Sequence, residues 1–264
     1  MKIVKEKLKS SLMQRELPFQ VVLPKNYETS KSEFPVLYLL HGLYGSCENW
    51  FELTKIKDYL KDRELIVVLP DGENSWYCDS AAKLDDKFES SFINELFPMV
   101  ETKYKIAGSR EKRAVAGLSM GGYGAFKFAL KRPDLFIFAG SMSGAFIAPR
   151  LFKNVNSNDW QELFPSISEV FGAKKSKTRN ENDVFRLIEE MTIENTVDFP
   201  YFYFDCGTED SFIESNRELS ELFAKKNLRY KFNEIKGSHD WDYWNRQVRI
   251  IINLATEKFK RDTD

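Results

Sequence analysis

Histidine is nearly absent from this chain: 264 residues hold two, His41 and His239. The three cysteines, Cys47, Cys78 and Cys206, are far apart and form no C-x-x-C pair. They do not make a disulfide framework, and a reducing compartment is expected. There is no H-E-x-x-H and no histidine cluster, so no catalytic zinc is expected, and no other metal or cofactor is called for. No G-x-x-x-x-G-K-[ST] loop exists to cradle a phosphate. No uncharged apolar run reaches the roughly 18 residues of a membrane span. The first segment, MKIVKEKLKSSLMQREL, lacks the apolar core of a signal peptide, so the expected location is the cytoplasm. Neither sign of charge dominates. The net charge is −1, which offers no field for a nucleic acid or an anionic membrane surface.

What is present is apolar and rhythmic. Hydrophobic residues make up 42% and aromatic ones 14%, with 22 phenylalanines, enough for a well-filled core. The first 25 residues read as two β-rich segments. Continuous apolar runs follow at FPVLYLLHG, LIVVLPDG, RAVAGLS, FIFAGSMSG and YFYFDCG, each closed by a turn. Such runs suit strands buried on both faces of a parallel sheet. RYKFNEI reads as a further strand. Between the strands, residues 49–61, 88–103, 120–131, 212–226 and 241–260 carry helical spacing. Strand and helix alternate, which predicts one α/β domain over residues 1–264, with a mostly parallel sheet and helices on both faces. Residues 145–195 break the rhythm and read as a small lid-like insertion. Within it GAKKSKTRNEND, residues 172–183, reads as a solvated loop.

One serine stands among four glycines in AVAGLSMGGYGAFKFAL. Gly117-Leu118-Ser119-Met120-Gly121 fits G-x-S-x-G, preceded by a buried strand and followed by a helix. In such a turn the residues two before and two after the serine crowd each other, so side chains there would clash. The strained turn exposes the hydroxyl, and the next N–H, that of Met120, faces the same space at a helix N-terminus. A serine hydroxyl needs a base, and a histidine titrating near neutrality suits that role. In α/β-hydrolases the chain order is Ser, then acid, then His, and only His239 follows Ser119. FDCGTED offers Asp205, Glu209 and Asp210 as the orienting acid. Asp210 is favoured because it lies beyond the strand, where a loop can reach the imidazole, and Asp205 is next. HGLYGSCENW also follows a buried strand and supplies a second oxyanion donor, the N–H of Leu43, with His41 fixing that loop. Tyr44, Trp76, Tyr77 and Trp241 are candidates to line the substrate pocket.

YLLHGLYGSCENW, GLSMGGYGAFKFAL, DCGTEDSF and GSHDWDYW, in this order and spacing, resemble the esterase D / putative esterase family of α/β-hydrolases. The resemblance covers nearly the whole chain and is weakest in the insertion. It is strongest toward the tributyrin, or acetyl, esterases. The family also holds S-formylglutathione hydrolases, feruloyl and acetylxylan esterases and the antigen 85 mycolyltransferases. The resemblance implies Ser119 as nucleophile, Asp210 and His239 as its partners, and Leu43 and Met120 as oxyanion donors. It implies a serine carboxylesterase for small acetyl to butyryl esters, working without a cofactor on a small-molecule substrate. The order of subunits is left open, and an inactive binding module on the same fold is the non-enzymatic alternative.

Overall fold

Apolar runs become strands here because both of their faces are covered. In the computed structural model, which describes residues 1–151, 158–191 and 199–261, β3 (Val36–Leu40), β4 (Ile66–Pro70), β5 (Arg113–Leu118) and β6 (Phe138–Met142) are buried at every residue. Successive side chains of β3 divide between two cores. Val36, Tyr38 and Leu40 join Phe126 and Phe223 on one face, and Leu37 and Leu39 join Trp50 and Val248 on the other. The remaining strands are β1 (Lys2–Ser10), β2 (Arg15–Leu23), β7 (Tyr201–Gly207) and β8 (Tyr230–Ile235).

The eight strands form one sheet in the order β1-β2-β4-β3-β5-β6-β7-β8. The pairs from β4 through β8 are parallel, and β2 joins β1 and β4 in antiparallel register. The outer strands are less apolar: β8 is half-buried or exposed along its length. The helices are α1 (Asn49–Glu52), α2 (Ile56–Leu60), α3 (Phe88–Ser91), α4 (Phe97–Lys103), α5 (Met120–Lys131), α6 (Phe164–Phe171), α7 (Lys177–Glu181), α8 (Val184–Glu189), α9 (Ile213–Lys225) and α10 (Trp241–Arg261). A π-helical turn, Phe92–Leu96, joins α3 to α4. None of these helices is long and apolar enough to cross a membrane.

Two expectations change. The helix expected over 49–61 is two short ones. The Thr54 hydroxyl bonds back to the Trp50 carbonyl and accepts the Ile56 N–H, while Asn245 accepts the Lys55 N–H, so side chains satisfy the backbone where the helix breaks. The loop expected over 172–183 contains α7, capped by the Ser176 hydroxyl accepting the Arg179 N–H. Arg179 itself is buried, and its guanidinium donates to the carbonyls of Pro149, Leu151, Gly172 and Ala173. Parts of the expected insertion, 152–157 and 192–195, lie outside the described residues.

Candidate active site

The loops that leave the carboxyl ends of β3, β4, β5, β7 and β8 meet over one end of the sheet, where ligands of open α/β sheets bind. The β5–α5 turn is the tightest of them. A Cβ on Gly117 would lie 2.4 Å from the Gly121 carbonyl carbon, and a Cβ on Gly121 would lie 2.6 Å from the carbonyl oxygens of Leu40 and His41. Both contacts are backbone, which cannot give way. Ser119 between them sits at φ 50° and ψ −116°, a strained conformation for a residue with a side chain. It is held there by its N–H, which donates to Met142, and its carbonyl, which accepts from Tyr123 and Ala145.

The structure brings Ser119, His239 and Asp210 together across 120 residues of chain. Ser119 Oγ lies 3.0 Å from His239 Nε2, and His239 Nδ1 lies 2.9 Å from Asp210 Oδ2. The second carboxylate oxygen of Asp210 accepts the Phe212 N–H at 2.9 Å. Burial alone would push the Asp210 carboxyl up. The imidazole beside it and the Phe212 N–H outweigh burial and hold it below the ordinary aspartate range, so it is ionised near neutrality. An ionised Asp210 only accepts, so Nδ1 carries the proton and Nε2 is free to accept from the serine hydroxyl. Asp205, the other acid considered, is buried within β7, and its carboxylate meets Tyr243 rather than the imidazole.

Met120 opens α5, and Leu43 follows Gly42 in the β3 loop. Among the described residues neither backbone N–H finds an acceptor. His41 shapes that loop. The Gly72 N–H donates to its Nε2 at 2.8 Å, so the Nδ1 proton goes to the Gly42 carbonyl at 2.7 Å. Both nitrogens meet backbone partners, Nε2 also lies 3.5 Å from Asp71 Oδ1, and the ring is buried. Asn74 accepts the Tyr44 N–H and ties the same loop to the β4 loop.

A cavity of about 470 Å³ opens above Ser119. Tyr44, Trp76 and Trp241 line it, together with Leu53, Phe212 and Trp244. Tyr77 does not, which corrects the expectation for that residue. Its ring is fully buried, fills the space beside Gly72 and Gly124, and donates its hydroxyl to the His41 carbonyl at 3.0 Å. It is a strut beneath the loop after β3. Sequence reasoning missed Phe212 and Trp244, whose rings stand 5.1 and 4.9 Å from the imidazole. It also missed Glu162 and Leu163, which bring part of the insertion into the cavity wall. The aromatic run HDWDYW was the available signal for Trp244; the insertion residues sit in no recognisable pattern.

Known proteins resemble this chain over most of its length. The family model described as putative esterase matches residues 10–251. An acetyl esterase of Caldicellulosiruptor saccharolyticus is 28% identical over 250 residues, covering 90% of this chain and 92% of that protein. A solved ferulic acid esterase superposes with a TM-score of 0.83 at 28% identity, covering 97% of this chain and 98% of its own. A Staphylococcus aureus fluorophosphonate-binding serine hydrolase, solved with substrate bound, gives a TM-score of 0.83 at 26% identity with the same coverage. With this sheet order, this serine turn and these matches, the chain belongs to the putative esterase family of α/β-hydrolases and is a serine hydrolase.

Proposed function

We propose that the protein hydrolyses short-chain carboxylic esters, acetyl to butyryl, through an acyl-enzyme on Ser119. The observation that carries this reading is the unbroken line of contacts from Ser119 Oγ through His239 to Asp210, at 3.0 and 2.9 Å, at the floor of an open cavity. Ser119 Oγ attacks the ester carbonyl while His239 Nε2 takes its proton. The oxyanion is met by the N–H groups of Leu43 and Met120. Collapse expels the alcohol, which leaves with the proton from Nε2. Water, deprotonated by the same nitrogen, then frees the acid. Asp210 holds the tautomer and balances the imidazolium.

The acetyl esterase likeness supports a small acyl group, and the cavity volume lies within the range of small-molecule sites. The ring-lined wall, with Trp76, Trp241, Trp244 and Phe212, favours a second reading, an aromatic acyl ester such as a ferulate. The continuous sheet supports one α/β-hydrolase domain over residues 1–264, with the stretch near 145–195 as its insertion. Three buried, unpaired cysteines support a reducing, cytoplasmic setting.

The test is a rate panel of p-nitrophenyl acetate, butyrate and octanoate, methyl ferulate, acetylated xylan and S-formylglutathione, with wild type and Ser119→Ala. Acetate and butyrate are expected to lead, and Ser119→Ala to lose about 10⁴-fold or more in kcat. Equal rates from both proteins would refute the nucleophile. Methyl ferulate leading the panel would replace the short-chain reading with the aromatic one, and S-formylglutathione leading would replace it with a thioesterase. Silence from both proteins on every ester would point to a binding module.

A further inference from the structure

Asp205 is a buried carboxyl that the reaction above does not use. It lies in β7 between Met142 of β6 and Asn233 of β8, and its Oδ1 accepts a 2.7 Å hydrogen bond from the Tyr243 hydroxyl. Burial pushes its carboxyl up to about 7 against the opposing pull of the Tyr243 and Tyr203 hydroxyls. A buried carboxyl whose side-chain partners are tyrosine hydroxyls is a costly way to fill a core, so the contact asks for a reason beyond packing.

The reason lies at the other end of the tyrosine. Tyr243 stands in the first turn of α10, where Asp240 accepts its N–H at 2.8 Å. His239 leads directly into that turn. The loop before it threads between Tyr243 and the end of β7. Gly237, at φ +152°, lies so close that a Cβ there would be 2.5 Å from Tyr243 Cδ2, and its carbonyl accepts the Glu209 N–H at 3.0 Å. The imidazole has two hydrogen bonds among the described residues, to Asp210 and Ser119, and its side chain is 29% exposed. The rings of Phe212 and Trp244 flank it, and its height above Ser119 depends also on the backbone beneath it.

We propose that the Tyr243–Asp205 hydrogen bond is a positioning latch that ties the first turn of α10 to β7 and so fixes His239 in line with Ser119. Asp210 follows the end of β7 along the chain, so acid and base are then located from one strand, the acid through the backbone and the base through Tyr243. The inference rests on His239 being the base, and it adds two positioning residues to that reading.

The test uses the full chain and p-nitrophenyl acetate, with active sites counted by the pre-steady-state burst so that kcat refers to competent enzyme only. Tyr243→Phe keeps the ring on Gly237 and removes the hydroxyl. Its kcat per active site is expected to fall about 10- to 100-fold, the scale of a sub-ångström to 1 Å misplacement, with KM changed less than about threefold. Asp205→Val removes the acceptor and should show the same split. The double variant should be no worse than Asp205→Val alone, because Tyr243→Phe removes a contact that Asp205→Val has already broken. Asp205→Asn keeps an acceptor oxygen and should retain at least about a third of the wild-type kcat. The latch is overturned if Tyr243→Phe and Asp205→Val keep kcat per site within about twofold of wild type, or if their losses add. It is also overturned if Asp205→Asn falls as far as Asp205→Val, which would assign the effect to carboxylate charge. Ser119→Ala in the same assay separates the two ideas: activity surviving there sinks the nucleophile, whatever the tyrosine variants do.

Discussion

The turn from β5 into α5 and the crossing from β6 to β7 both wall the cavity, and they are held by opposite means. In the turn, backbone meets backbone: Gly117 against Gly121, and Gly121 against the carbonyls of Leu40 and His41. In the crossing, side chains tether separate pieces. Arg179 gathers four carbonyls, Arg150 pairs with Asp183 at 2.7 Å, Trp76 donates to Ser166, and the Tyr44 hydroxyl donates to the Glu162 carbonyl. Main-chain contacts leave no slack where, under the proposed reaction, an oxyanion and a proton would have to be met within tenths of an ångström. Side-chain tethers fix a wall while leaving its lining open to exchange. Under the proposed reaction, the contrast puts the chemistry in the turn and the choice of ester in the crossing.

The comparison breaks first at Gly121. Gly121→Ala places a methyl carbon 2.6 Å from two carbonyl oxygens that belong to the sheet end and the oxyanion loop. Something in the backbone must move, and every route displaces Ser119 or Leu43. We expect kcat per active site to fall at least about 100-fold and the fold to lose roughly 3 kcal/mol or more. Thermal melting and burst-counted kinetics read the two effects. A variant with wild-type kcat would show that the turn has slack, and the contrast with the crossing would fail.

Arg179 tests the other side. Removing its guanidinium strands the carbonyls of Pro149, Leu151 and Gly172, while that of Ala173 keeps the Ser176 N–H. Arg179→Ala should cost roughly 2–4 kcal/mol, read as a lower melting temperature, since bonds to a charged donor exceed the neutral kind. Turnover of p-nitrophenyl acetate per active site should stay within about threefold, because nothing in the β5–α5 turn depends on this residue. A kcat loss as large as that of Gly121→Ala would mean that the crossing, too, holds the reacting groups.

The same contrast decides how much of the molecule was legible in its sequence. The turn was readable because its geometry admits few residue types: glycine where carbonyls press, serine where the hydroxyl must emerge. The buried strands were readable because both faces are apolar, as the two cores sharing β3 show. With two histidines in the chain and one of them after Ser119, the candidate base was nearly forced. Asp205 and Asp210 were harder to tell apart, since both stand in one short acidic segment. What separates them is environment: burial pushes one carboxyl up to about 7 against the pull of its tyrosine donors, and a neighbouring imidazole holds the other low. The crossing was opaque for a related reason. Arg179 reads as a solvated charge until the carbonyls around it are assembled, and α7 has five residues, too few to show a periodicity. Tyr77 misled because a strand-end aromatic in sequence can turn either way, and Gly72 and Gly124 leave the room that draws it inward.

Tyr44 is where the two regions touch, and it gives the smallest and most selective effect. Its backbone, at φ 61°, belongs to the oxyanion loop next to Leu43, and its N–H is held by Asn74. Its side chain reaches the crossing, donating to the Glu162 carbonyl at 2.7 Å, and the residue as a whole is 64% exposed at the cavity mouth. Tyr44→Phe keeps the loop and the ring and cuts the tether. An exposed hydrogen bond of this kind contributes about 1 kcal/mol at most, so melting should hardly move. The wall carrying Glu162 and Leu163 then gains freedom, and longer acyl chains gain room. The ratio of kcat/KM for p-nitrophenyl octanoate over acetate should rise about two- to fivefold, with acetate itself within about twofold of wild type. A fall on acetate with no change in the ratio would place Tyr44 with the turn, and the boundary between chemistry and choice would run through Glu162 instead.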